Sequence, residues 1–119
     1  KANSITQVFA MIETQAALDA VEEIAAVPGL DGLFVGPSDL SIALSKGAGI
    51  DKTAKHTLDA MKLIAAAAAK NNLVAGAFAG SADVINTYAA MGYTCMAGAV
   101  DVDLLQAGAE SLIKAVKGV

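Results

Sequence analysis

Read from the N-terminus, the chain alternates short uninterrupted apolar runs with longer segments whose apolar residues recur every three or four positions. The runs are Gln7 to Glu13, Leu33 to Gly36, Leu73 to Phe78 and Thr94 to Ala99. Each has the length of a strand. None alternates apolar with polar, which is the pattern of strands covered on both faces. Between them, Gln15 to Ala26 sets Ala16, Ala17, Ala20, Val21, Ile24 and Val27 as an apolar stripe, with Asp19, Glu22 and Glu23 outside it. Thr14 is placed to cap this helix, and Val27-Pro28-Gly29 to stop it. Thr53 to Asn71 predicts a long helix. Its run Ala65 to Ala69 is read as helix because alanine is the strongest helix former. Ala82 to Met91, ended by Gly92, is a third helix. A last one starts at Asp101 or Asp103 and runs to about Lys117, with Lys114 and Lys117 suited to the negative end of its dipole.

The order is β-α repeated four times, after a polar lead-in from Lys1 to Thr6. Such units predict a parallel sheet with right-handed crossovers. Four of them make half of a (β/α)8 barrel or a small open α/β sheet. Pro37 to Asp51 is the one long connection, with a short helical turn expected at Ser38 to Leu44. Connections of that length are often functional.

Composition narrows the picture. Of 119 residues, 55% are hydrophobic but only 4% aromatic, and there is no Trp, so the core rests on Ala, Val, Leu, Ile and Met. The net charge is −4 and all eight basic residues are Lys. A chain without Arg lacks the usual equipment for nucleic acid, and lacks the best bidentate clamp for a carboxylate or phosphate. One cysteine, Cys95, excludes an internal disulfide and a Cys-rich zinc site. It is read as a buried small hydrophobe in its strand. No signal peptide is visible. The longest uncharged run, Val84 to Val100, is broken by Asn86, Thr87, Gly92, Thr94 and Gly98, so no membrane span is expected. The expectation is a cytoplasmic protein.

The candidate chemistry lies where strands end. Val8 to Ile12 runs into Glu13-Thr14. Gly32 to Val35 runs into Gly36-Pro37-Ser38-Asp39. Parallel α/β folds place their chemistry at the C-terminal ends of strands. Glu13 and Asp39 are one β-α-β step apart, which brings them to adjacent strand ends within reach of one ion. Oxygen ligands alone suit Mg²⁺ or Mn²⁺ rather than Zn²⁺. The plainer alternative is that each carboxylate caps a helix N-terminus. Gly36-Pro37-Ser38 is a tight turn whose backbone N–H groups can hold a small carboxylate beside Asp39; the alternative is a turn and no more. His56, the only histidine, is read as a solvated position near the start of the long helix. Gly76, Gly80 and Gly98 border the last two strands, where barrels often bind phosphate, but strand–helix packing selects glycine equally well.

Met11-Ile12-Glu13-Thr14, Val21-Glu22-Glu23-Ile24, Val27-Pro28-Gly29-Leu30-Asp31-Gly32 and Val35-Gly36-Pro37-Ser38-Asp39-Leu40-Ser41 resemble the HpcH/HpaI aldolase family, the 2,4-dihydroxyhept-2-ene-1,7-dioate aldolases and related metal-dependent pyruvate aldolases. Gly98-Ala99-Val100-Asp101 resembles the family's closing strand. The resemblance implies a (β/α)8 barrel of which residues 1–119 form the C-terminal four β/α units. It implies Glu13 and Asp39 as ligands of a divalent metal, Mg²⁺ or Mn²⁺, with Co²⁺ also admitted. Gly36, Pro37, Ser38 and Asp39 would bind the carboxylate of pyruvate or the 2-oxo acid, through backbone contacts at Ser38 and Asp39. The reaction implied is reversible aldol cleavage of a 4-hydroxy-2-oxo acid to pyruvate and an aldehyde, with the metal at the 2-oxo oxygen stabilising the enolate. Two positions depart from the family. Met11 stands where many members carry Gln. The family's catalytic His and charge-stabilising Arg belong to the N-terminal half, and nothing in this chain matches them.

Two other readings compete. An acyl-CoA lyase of the citrate lyase beta type shares the acidic pair, but CoA calls for basic residues not found here. A non-catalytic α/β binding module of receiver size would carry a Lys after its last strand; here Asp101 follows. With four strands there are two open edges, so the chain is expected in a homo-oligomer or joined to an N-terminal half-barrel. The last helix is the preferred contact.

Overall fold

The computed structural model describes residues 1–117. Its four strands are β1 (Phe9–Ile12), β2 (Gly32–Val35), β3 (Val74–Phe78) and β4 (Cys95–Ala97). They form one parallel sheet in the order β1-β2-β3-β4, so β1 and β4 are its two edges. Six helices connect and follow them: α1 (Gln15–Asp19), α2 (Val21–Ala25), α3 (Pro37–Leu44), α4 (Lys55–Lys70), α5 (Ala82–Ala89) and α6 (Asp101–Lys117). A single 3-10 turn at Ala2–Ser4 precedes β1.

The register explains which residues face which way. Met11 pairs with Phe34, Phe34 with Gly76, and Gly76 with Cys95. Side chains alternate along a strand, so Ile12, Leu33, Val35, Ala75 and Ala77 point to the helices. All five are buried in the core with Met61, Ile64, Tyr88 and Tyr93. Ala65, Ala67 and Ala68 are buried too, and their small side chains let α4 lie close against the sheet. The other face carries Phe9, Met11, Phe34, Gly76, Phe78 and Cys95. It is not covered by a helix: Met11 is 53% exposed. The expectation of strands covered on both faces therefore fails for this chain, because its helices lie on one side only. Cys95 follows from the same fact. It is exposed, not buried, because it sits on the edge strand and on the uncovered face.

Several helix limits also differ from expectation. The first predicted helix is two, divided at Ala20 (φ −98°, ψ 13°). The break turns the buried face, so Val21 and Ala25 are in the core while Ala16 and Val27 are exposed. Thr14 caps α1 as its type suggests, accepting from the Ala17 amide at 3.1 Å. Thr53 lies outside α4. Its amide and hydroxyl both donate to Asp51 Oδ1 at 2.9 Å, a local turn that competes with helix.

The long connection is tied down by two buried polar side chains, Ser41 and Thr57. Ser41 Oγ donates to the Ser38 carbonyl and accepts from the Asp51 amide, and Thr57 Oγ1 donates to the Asp51 carbonyl at 3.0 Å. The end of α5 is fixed by Gly92 (φ +102°), after which the Tyr93 hydroxyl donates to the Met61 carbonyl of α4 at 2.9 Å.

The last helix stands apart. Every residue from Asp101 to Val116 is exposed. The radius of gyration is 17.1 Å, against about 13.5 Å for a compact chain of this length. Val102, Leu105, Ala109, Leu112 and Val116 follow the three-four spacing of a helix–helix seam.

Candidate active site at the strand ends

Glu13 immediately follows β1 and Asp39 lies in the first turn of α3, which begins directly after β2. Gly36 joins the two. It directly follows Val35, whose partner is Ile12, just as Glu13 directly follows Ile12, and it is the N-cap of α3, three residues before Asp39. A side chain beginning at Gly36 would stand 2.9 Å from Glu13 Oε2 and 3.5 Å from Asp39 Oδ2. Both carboxylates therefore converge on one point at the C-terminal edge of the sheet. Asp39 is exposed and Glu13 half-buried, so the pair faces open space. Neither carboxylate has a hydrogen-bond or ion-pair partner among the described residues.

Pro37 at the first helical position of α3 has no N–H to leave unpaired and sets φ for the helix. The first intrahelical bond runs from the Leu40 amide to the Gly36 carbonyl at 2.9 Å. The amides of Ser38 and Asp39 stand in the turn before that bond, where a helix offers no acceptor of its own. They lie at the positive end of the helix dipole and beside the acidic pair.

The donor set fits a hard divalent cation. Two carboxylates with room around them match Mg²⁺, which keeps several waters and takes one or two protein carboxylates. Among the described residues, no group of three or more His, Cys, Asp and Glu side chains converges, so the candidate is this pair of carboxylates and no larger cluster. His56 is exposed at the start of α4, on no strand end. A depression of about 630 Å³ lined by Asn3, Thr6, Gln7, Gly29 and Asp31 opens at the N-terminal ends of the strands. In (β/α)8 folds that end serves stability rather than chemistry.

Residues 1–107 match the sequence profile of the HpcH/HpaI aldolase/citrate lyase family. The chain belongs to that family. Its relatives include a 2-dehydro-3,6-dideoxy-6-sulfogluconate aldolase of Pseudomonas putida, 36% identical over 99% of this chain and 46% of that protein. A hydroxypyruvate/pyruvate aldolase of Rhizorhabdus wittichii is 33% identical over 88% of this chain and 42% of that protein. Among solved structures, an HpcH/HpaI aldolase/citrate lyase family protein from Burkholderia cenocepacia superposes with a TM-score of 0.86 at 32% identity, over 98% of this chain and 45% of that one. Macrophomate synthase gives 0.74 at 28% identity, over 98% and 40%. The chain thus spans less than half the length of the relatives it matches, and its four β/α units have the fold of part of a (β/α)8 barrel.

Sequence reasoning brought Glu13, Asp39 and the turn between them to one place. It missed why position 36 is glycine. It also left Gly76 open to a phosphate-binding role. A side chain at Gly76 would meet the Phe34 ring at 2.7 Å, so packing accounts for that glycine.

Proposed function

We propose that this chain carries the metal-binding and pyruvate-binding part of a metal-dependent aldolase. The reaction is reversible cleavage of a 4-hydroxy-2-oxo acid to pyruvate and an aldehyde. Convergence of Glu13 and Asp39 on Gly36 is the observation that carries the reading, since two unpaired carboxylates at adjacent strand ends call for a cation. Glu13 and Asp39 hold one Mg²⁺ or Mn²⁺, with Co²⁺ an acceptable substitute. That ion, when bound, supplies Lewis acidity at the 2-oxo group. The amides of Ser38 and Asp39 take the substrate carboxylate, and the Gly36-Pro37 corner keeps them turned toward it. Pro37 is buried and rigid, so the carboxylate site is set before substrate arrives. Met11 lies one register layer below the acids on the open face and offers substrate an apolar contact.

Nothing in these residues supplies a base or a guanidinium beside the acids. Proton transfer therefore belongs to groups outside this segment, in the remaining units of a complete barrel. The open sheet edges and the solvent-facing seam of α6 support association, either with those units or with a second copy.

The deciding assay supplies the whole protein with Mn²⁺ and a 4-hydroxy-2-oxo acid and follows pyruvate release. Pyruvate release that stops with chelator and returns with Mn²⁺ is expected. The family's name also covers citrate lyases, which supports an acyl-CoA lyase as second reading. Cleavage of a 3-hydroxyacyl-CoA thioester, with no release of pyruvate from hydroxy-oxo acids, would favour that reading and overturn the first.

A further inference from the structure

Gly36 has φ −91° and ψ 88°, a negative-φ conformation that residues with side chains adopt. Backbone freedom does not explain the glycine. Space does. A Cβ there would come 2.9 Å from Glu13 Oε2, 3.5 Å from Asp39 Oδ2 and 3.6 Å from Glu13 Cβ. Only the first is shorter than normal contact, which is about 3.5–4.0 Å between carbons. The atom in the way is the tip of a flexible side chain, not backbone. The fold can therefore accept a methyl group at position 36 by swinging the Glu13 carboxylate aside.

We propose that Gly36 is a positioning residue for the cation ligands. The missing side chain is the cradle that lets the Glu13 carboxylate lie opposite Asp39. Any side chain at this position displaces Glu13 and weakens divalent-ion binding while the protein stays folded. The inference rests on the reading of Glu13 and Asp39 as a ligand pair. It adds to that pair a residue that acts on the ion through the position of the Glu13 carboxylate. It also explains the order Gly-Pro at the corner: proline sets the helix, and glycine clears the ligand.

The test is Mn²⁺ titration of the whole protein, read by loss of the free-ion electron paramagnetic resonance signal. Four proteins are compared: unsubstituted, Gly36→Ala, Glu13→Asp, and the double variant. Urea unfolding is measured on each. Gly36→Ala is expected to weaken Mn²⁺ binding by about 10- to 100-fold, the range seen when a residue that orients a metal ligand is lost, with its urea midpoint unchanged. Glu13→Asp alone weakens binding because the carboxylate retreats by one methylene. In the double variant that retreat relieves the clash, so Glu13→Asp costs less binding there than it does with Gly36 in place. A merely structural glycine would give losses that add. Unchanged binding by Gly36→Ala overturns the proposal. So does weakened binding accompanied by a lowered urea midpoint, and so do losses from the two substitutions that simply add in the double variant. Failure of the unsubstituted protein to bind Mn²⁺ overturns the ligand-pair reading, and this inference with it.

Discussion

The ring of Phe34 lies against the backbone of Gly76 on the neighbouring strand and fills the space where a side chain would begin, 2.7 Å away. Phe9 stands in the same relation to Gly32, one strand earlier. Large and small residues thus interlock across the uncovered face of the sheet, as the inward side chains of barrels do in layers.

Gly32→Ala is expected to be the more damaging of two matched substitutions. Its methyl group would meet the Phe9 ring and also the Val74 carbonyl at 2.7 Å, and a backbone atom cannot move away cheaply. Gly76→Ala meets mainly the edge of the Phe34 ring. Overpacking of this kind costs about 1–3 kcal/mol. Urea unfolding should put Gly32→Ala near the upper end and Gly76→Ala below it; equal midpoints would contradict the packing described.

Tyr88 and Tyr93 should respond oppositely to loss of their hydroxyls. Their rings lie 5.8 Å apart and both are buried, but only Tyr93 has a partner, the Met61 carbonyl. The Tyr88 hydroxyl has none among the described residues. Tyr93→Phe should lose about 1 kcal/mol, whereas Tyr88→Phe should be neutral or stabilising, since an unpaired buried hydroxyl is removed. Thermal or urea midpoints of the two variants check this.

The same pair sets a dependence on alkaline pH. Burial pushes both phenols above their ordinary value of about 10, and Tyr88 beside it pushes Tyr93 further. Unfolded tyrosines lose protons near pH 10 while the folded ones keep theirs. Stability from this source is therefore constant below about pH 9 and falls as pH rises beyond 10. Urea midpoints measured from pH 8 upward should show that fall, and the double Tyr88→Phe/Tyr93→Phe variant should show a shallower one.

The seam on α6 should mediate association. Leu105 and Leu112 are 77% and 67% exposed, a large apolar surface for a helix in water. Leu105→Lys with Leu112→Lys should shift sedimentation of the protein toward smaller species at micromolar concentration, without loss of helix by circular dichroism. An unchanged sedimentation coefficient would remove α6 from the interface.

Much of this was legible in the chain itself. Four apolar runs separated by helical patterns marked the strands, and Gly36-Pro37 marked the corner at which α3 starts. Glu13 and Asp39 came together because strand-end position follows from chain order in parallel folds. The break at Ala20 was not legible, since alanine carries no signal against helix. The exposure of Cys95 and Met11 depends on what covers the second face of the sheet, which no local pattern records. The role of Gly36 depends on a neighbour more than twenty residues away in sequence, and a glycine before proline reads first as a turn.

Glu13 and Asp39 are proposed to hold one divalent cation between them. Isothermal titration of Mg²⁺ and Mn²⁺ into the whole protein tests it directly, with Glu13→Gln, Asp39→Asn and the exposed control Glu23→Gln alongside. One site per chain is expected in the unsubstituted protein and in Glu23→Gln, and no measurable binding in the other two. Equal binding by all four proteins would contradict it.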